Sequence, residues 1–149
     1  MDTTTTDITR VQREVAIDAA PETVWEFIVD PDKVVRWMGI DATLEPTPGG
    51  LYRVEVRPGT VARGEFVEVG PPRRAVLTWG WEPGARSQLP PGGSTVAIDL
   101  VPDGEGTLLR LTHELPTAHV GMHAEGWEHY LSRLSVAATG EDPGTDSWL

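Results

Sequence analysis

The sequence predicts an α+β fold in which an antiparallel sheet is covered on one side by a long C-terminal helix. Three observations carry that prediction. Alternating apolar and polar residues fill the middle of the chain. An uninterrupted helical pattern occupies residues 118–138. Two short helical stretches follow the first alternating segment.

Taken in order, "VQREVAI" places Val11, Arg13, Val15 and Ile17 on one side and reads as a strand. In "DAAPETVWEFIVD", Asp18 or Ala20 precedes Pro21 at a plausible first helical position. Glu22 sits in the first turn, and Val24, Trp25, Phe27 and Ile28 form the apolar face. Asp30-Pro31 ends that helix, and a second short one is expected through Lys33 to Trp37. "PTPGG" is a turn. "LYRVEVR" then puts Tyr52, Val54 and Val56 on one face. "VARGEFVEV" follows, with Gly64 hinting at a bulge and Glu65 sharing a face with Val67 and Val69.

"AVLTWGW" is the most informative strand. Ala75, Leu77, Trp79 and Trp81 share one face, so two indoles stand side by side. "STVAIDLVP" aligns Val96, Ile98 and Leu100, "DGEG" makes a hairpin turn, and "TLLRLTHEL" aligns Thr107, Leu109, Leu111 and His113. In the last helix Val120, Ala124, Trp127, Leu131 and Leu134 form a stripe, with Thr117 as the expected N-cap. A curved antiparallel sheet needs its concave face covered, and this helix supplies the cover.

The chain of 149 residues suits one domain, expected over residues 9–139 between a disordered Thr-rich tail (1–8) and a second tail (140–149). Trp148 is out of place in such a tail: it either tucks into a groove, its own or a neighbour's, or dangles as tail side chains ordinarily do. The net charge of -11, from 23 acidic and 12 basic residues, disfavours nucleic acid and anionic membrane as partners. There is no cysteine, no apolar leader and no stretch long enough to span a bilayer, so a cytoplasmic location is expected.

The stretches "IDAAPETVWEFIVDPDKVVRWMG", "PGGLYRVEV", "RGEFVEVGPPRRAVLTWGWE" and "HAEGWEHYLSRL" together resemble the SRPBCC superfamily, the START-like or helix-grip proteins. The closer match is the branch named for the activator of heat-shock-protein ATPase homologue, and it covers Val11 to Leu134. The resemblance implies a sheet of about seven strands wrapped around the long helix, with a cavity between them. It also implies binding of apolar small molecules such as lipids or polyketides. The eukaryotic co-chaperone behind the branch name carries an additional N-terminal domain, for which this sequence shows no counterpart.

On that layout, the expected ligand-binding residues are Trp37, Met38, Tyr52, Val54, Leu77, Trp79, Trp81, Ile98, Leu111, His113, His123, Trp127 and Leu131. The indoles are either walls of a pocket or filler of a close-packed core. His113 is either a polar handle for a ligand or a histidine satisfied by its neighbours. His119 and His123, four apart, have metal-ligand spacing, but no third ligand and no HExxH motif accompany them, so no metal or other cofactor is expected. His129 is expected at the solvent face beside Glu125. The reading is a binding protein for an apolar or aromatic molecule, able to form a homodimer. Two alternatives stand beside it: a cyclase-, aromatase- or hydrolase-like enzyme with a cavity histidine as general base, and a protein-binding domain like the co-chaperone.

Overall fold

The computed structural model describes residues 7–149; the first six positions of the expected Thr-rich tail lie outside the described residues. The element order is β1 (Ile8–Ile17), α1 (Pro21–Val29), α2 (Pro31–Val34), β2 (Asp41–Leu44), β3 (Leu51–Arg57), β4 (Thr60–Gly70), β5 (Arg74–Trp81), β6 (Ser94–Asp103), β7 (Gly106–Pro116), a 3-10 turn (Thr117–His119) and α3 (Val120–Ala137). The seven strands form one antiparallel sheet in the order β1-β7-β6-β5-β4-β3-β2. This is the helix-grip arrangement that the sequence predicts.

Pro21 opens α1, where its missing N–H costs nothing. The apolar face of α1 is buried as expected. Asp30 ends α1 and caps α2, accepting a hydrogen bond from the Asp32 N–H at 2.9 Å. Helix α2 stops at Val34, short of the expected Trp37. Turns carry the chain on, and the Trp37 indole N–H donates to the Phe27 carbonyl at 2.8 Å. That bond anchors Trp37 and Met38 under the long helix's end of the core.

Strand β2 carries no signal in the sequence, because four residues at a sheet edge hold too short an alternation to register. Glu65 shares an exposed face with Val67 while Phe66 between them is buried, so it is a solvated glutamate. The β4–β5 register shifts after that point, between Phe66 and Glu68. One expectation is overturned: Thr117 does not cap α3. Its hydroxyl donates to the Asp7 carbonyl, and the 3-10 turn intervenes.

A second bulge bears on function. The β3–β4 register shifts between Glu55 and Arg57. At this irregular end of the strand Arg57 is half-buried and lines the cavity described below.

After β5 the chain loops back over its own strand. The Trp81 N–H donates to the Leu89 carbonyl at 2.8 Å, and Leu89 is buried in the core. Glu82 holds the loop's start by pairing with Arg53 and Arg63 at 2.9 and 3.1 Å, and these hydrogen bonds hold its carboxyl below the ordinary range. Gly80 makes this path possible, since a Cβ there would lie 1.7 Å from the Pro90 carbonyl oxygen. Gly80→Ala should therefore destabilise the protein by about 2 kcal/mol through overpacking. Gly121→Ala in α3, where a Cβ meets open space, should be neutral or mildly stabilising. Thermal unfolding of the two variants checks the contrast.

Candidate functional site

The inner face of β5 meets α3 in an aromatic cluster centred on Trp79. Its ring lies 5.0 Å from Trp127, 5.5 Å from Trp81, 5.8 Å from Tyr52 and 6.2 Å from His113, between centroids. Edge-on and tilted contacts of this kind are the favoured aromatic geometries. Trp79 and Trp127 are almost wholly buried, whereas Trp81 is partly exposed. The two indoles of "VLTWGW" thus have different jobs: Trp79 fills the core, and Trp81 stands at its open end.

His113 sits in the middle of a buried hydrogen-bond chain. The Ser94 hydroxyl donates to the Trp79 carbonyl at 2.7 Å, which spends its only proton. His113 Nε2 must then donate to Ser94 Oγ, 2.8 Å away, leaving Nδ1 to accept the Trp127 indole N–H at 2.9 Å. The imidazole is therefore neutral with its proton on Nε2. Burial, and next the nearby His123, push its pKa down to about 3.

His123 is similarly committed. Its Nε2 accepts the Trp81 indole N–H at 3.0 Å, and its Nδ1 donates to the His119 carbonyl at 2.7 Å. Burial lowers its pKa, with the His119 imidazole adding to the effect and the carbonyl bond opposing it. Both histidines have both ring nitrogens engaged by neutral partners, and neither is hydrogen-bonded to a carboxylate. The general-base reading thus has no carboxylate partner here, and His123 has no spare lone pair for a metal. Among the described residues no group of three or more His, Cys, Asp or Glu could hold a metal ion.

Beside this packed cluster lies a cavity of about 70 Å³, lined by Met38, Val56, Arg57, Trp79, Trp81, Met122, His123, Gly126, Trp127, Tyr130 and Trp148. Met122 and Trp148 are exposed and mark its rim. Two lining residues carry polar atoms without a partner, the Trp79 indole N–H and the Tyr130 hydroxyl. Of the expected site residues, Met38, Trp79, Trp81, His123 and Trp127 line the cavity. Trp37, Tyr52, Val54, Leu77, Ile98, Leu111 and Leu131 belong to the packed core, and His113 is the satisfied hub just described.

The segment after α3 forms one wall, which decides one expectation and corrects another. Trp148 does not dangle: it stacks on His129 at 3.8 Å with rings parallel to within 4° and meets the edge of Tyr130 at 5.7 Å. His129 pairs with Asp146 rather than Glu125, at 2.8 Å. The same Asp146 Oδ1 accepts the Trp148 backbone N–H at 2.9 Å. Arg133 ties the segment down through the Gly144 carbonyl at 3.0 Å and also donates to the Trp37 carbonyl. Burial pushes the Tyr130 hydroxyl pKa up to about 12, with the charge of Asp146 and its approach to the phenol adding and Arg57 and Arg133 opposing.

Comparison with known proteins places this architecture. The model of the family "Activator of Hsp90 ATPase homolog 1-like protein" matches residues 18–139, most of the chain. The chain belongs to this family. An AHSA1-like protein from Rhizobium etli, solved in solution, is 44% identical, with 100% of this chain and 93% of that chain covered and a TM-score of 0.77. DynU16, a protein of the dynemicin biosynthetic locus, is 26% identical with a TM-score of 0.76. Its alignment covers 92% of this chain, which spans only 50% of the DynU16 chain. The Aha1 dimer from Colwellia psychrerythraea shares the fold at 16% identity, with 87% and 96% covered and a TM-score of 0.74. No curated protein matches the chain. Among the described residues no helix is long and apolar enough to cross a membrane.

Within this AHSA1-like scaffold, the lining residues missed from sequence were Val56, Arg57, Met122, Gly126, Tyr130 and Trp148. Four of them carried a signal. Val56 shares the alternating face of Tyr52 and Val54. Met122, Gly126 and Tyr130 recur every four residues, one position behind the His123, Trp127 and Leu131 stripe. Arg57 carried none, because alternation groups it with the outward Arg53 and Glu55.

Proposed function

We propose that this AHSA1-like protein binds an apolar or aromatic small molecule at the end of the cleft between α3 and the sheet. One observation carries the reading. The cavity is walled by indole, phenol and thioether side chains, yet it keeps an unpartnered indole N–H on Trp79. A core selected for packing alone satisfies its buried polar groups. A few polar groups in an apolar wall are the usual composition of a ligand site.

The cavity as it stands is far smaller than the roughly 300–1,000 Å³ of small-molecule sites, so a ligand must displace part of the wall. Trp148 is the wall side chain most exposed besides Met122, and it rests on a ring stack and one backbone cap. The segment carrying it is the moving part. Trp148→Ala is accordingly expected to tighten binding of a naphthalene-sized probe by several-fold, because the ligand no longer competes with an internal ring. Tryptophan-quenching titrations measure it, and weaker binding in the variant would show that Trp148 holds the ligand instead of excluding it.

Native mass spectrometry of the purified protein, followed by analysis of small molecules released on denaturation, tests the reading itself. A stoichiometric apolar compound lost on unfolding supports it. A clean unliganded mass, joined by silence in a quenching screen of aromatic and lipid probes, overturns it. The neighbour found in a biosynthetic locus supports products of such loci as a first probe class.

A further inference from the structure

The segment after α3 places an aromatic ring, Trp148, against the cavity, and behind it, outside the cavity lining, a carboxylate, Asp146. Both meet the same small group of receptors. Trp148 stacks on His129 and edges Tyr130, while Asp146 is buried, pairs with His129, and bears electrostatically on the Tyr130 hydroxyl. Its second oxygen has no hydrogen-bond partner.

What lines the cavity beneath is rich in donors. Arg57 is the only formally charged lining residue. It is half-buried, and among the described residues its guanidinium makes no ion pair, in a chain with nearly twice as many acidic as basic residues. It lines the cavity from the end of β3 and sits near enough to Tyr130 for its charge to act on the phenol. The Trp79 indole N–H adds a donor without an acceptor, and the Tyr130 hydroxyl, which has only the nearby Asp146 to turn to, adds another once the segment withdraws. Three donors, one of them cationic, around an aromatic-walled space match an aromatic group bearing an oxyanion.

We infer that the ligand class is an aromatic carboxylic acid, whose ring replaces Trp148 against the aromatic wall and whose carboxylate is held by Arg57 with the Trp79 and Tyr130 donors. This rests on the binding reading above and specifies its chemistry. Trp148 acts as an internal stand-in for the ligand's ring, while the Asp146 carboxylate is held apart by His129. Withdrawal of the segment also removes the Asp146 charge that would repel the acid. The acid-rich surface selects against polyanions, and the match is local to one carboxylate facing one arginine.

The test compares two probes of equal shape, 2-naphthoate and 2-acetylnaphthalene, by tryptophan quenching and by calorimetry. The carboxylate should bind roughly tenfold tighter than the ketone at low salt. In Arg57→Gln that ratio should fall to near one, and Arg57→Lys should restore part of it. Arg57 stands half-exposed at a strand end, and circular dichroism confirms that each variant is folded. Equal binding of acid and ketone, or a preference that survives Arg57→Gln, overturns the carboxylate assignment while leaving aromatic binding standing. Failure of both probes in wild-type and in Trp148→Ala overturns the assignment together with the binding reading.

Discussion

Trp79→Ala is expected to destabilise the protein by about 3–5 kcal/mol, the cost of removing a large aromatic side chain from a packed core. Domains of this kind have only about 5–15 kcal/mol in total, so the variant should be close to unfolded at 37 °C. The reason lies in the number of rings that lean on this one: Tyr52, Trp81, His113 and Trp127 all contact it. Trp81→Ala should cost much less, on the order of 1–2 kcal/mol. Trp81 is partly exposed, and its loss leaves the His123 acceptor at the open end of the cleft. Denaturant unfolding of the two variants separates a core tryptophan from a wall tryptophan two positions away. A Trp79→Ala variant as stable as wild type would mean that the ring lines open space and supports nothing.

The second large effect is a loss of stability on mild acidification. His113 is buried neutral, with a pKa pushed down to about 3, and that of His123 is lowered as well. An unfolded histidine titrates near 6.5. Between these values the unfolded chain takes up a proton that the folded chain refuses, so stability rises with pH there. The contribution is complete above about pH 6.5 and is lost as the pH falls from there toward 3. For His113 alone the unfolding constant should rise about tenfold per pH unit well below 6.5. At pH 5 that amounts to about 2 kcal/mol, with His123 adding in the same direction. Urea unfolding at pH 7.5, 6.5, 5.5 and 5.0 reads it. The decline should begin above the range where carboxylates titrate. A flat profile from pH 7.5 to 5.0 would contradict the neutral, doubly bonded state assigned to His113.

Much of the fold was legible because its elements obey simple periodicities. The inner faces of β3, β6 and β7 follow alternation, and the α3 stripe follows helical spacing. Legibility failed where the backbone departs from those periods. Strand β2 is too short to show a pattern. Arg57, at the irregular end of β3, lines the cavity although it alternates with the outward Glu55. The candidate site was read less well, for a related reason. Sequence alternation finds residues that face inward, and core and cavity wall face the same way. Eight of the thirteen expected residues proved to be core or internally satisfied, among them Leu77, Ile98 and Leu111. His113 was identified as inward, but its partners Ser94 and Trp127 come from separate elements that no local pattern joins. The wall formed by Trp148 depends on a contact between two segments, Asp146 with His129, which no spacing announces.

The six tryptophans give the central claim its most direct test. Their indole N–H groups report from distinct places: Trp79, Trp81, Trp127 and Trp148 line the cavity, while Trp37 is bonded to the Phe27 carbonyl and Trp25 lies on α1. We would titrate 15N-labelled protein with 2-naphthoate and follow the six indole resonances. Ligand binding in the α3–sheet cleft predicts that the Trp79, Trp81, Trp127 and Trp148 signals move together and saturate, with Trp79 gaining its first acceptor, while Trp25 and Trp37 stay in place. Six unmoved signals, or a response confined to Trp25 and Trp37, would contradict it.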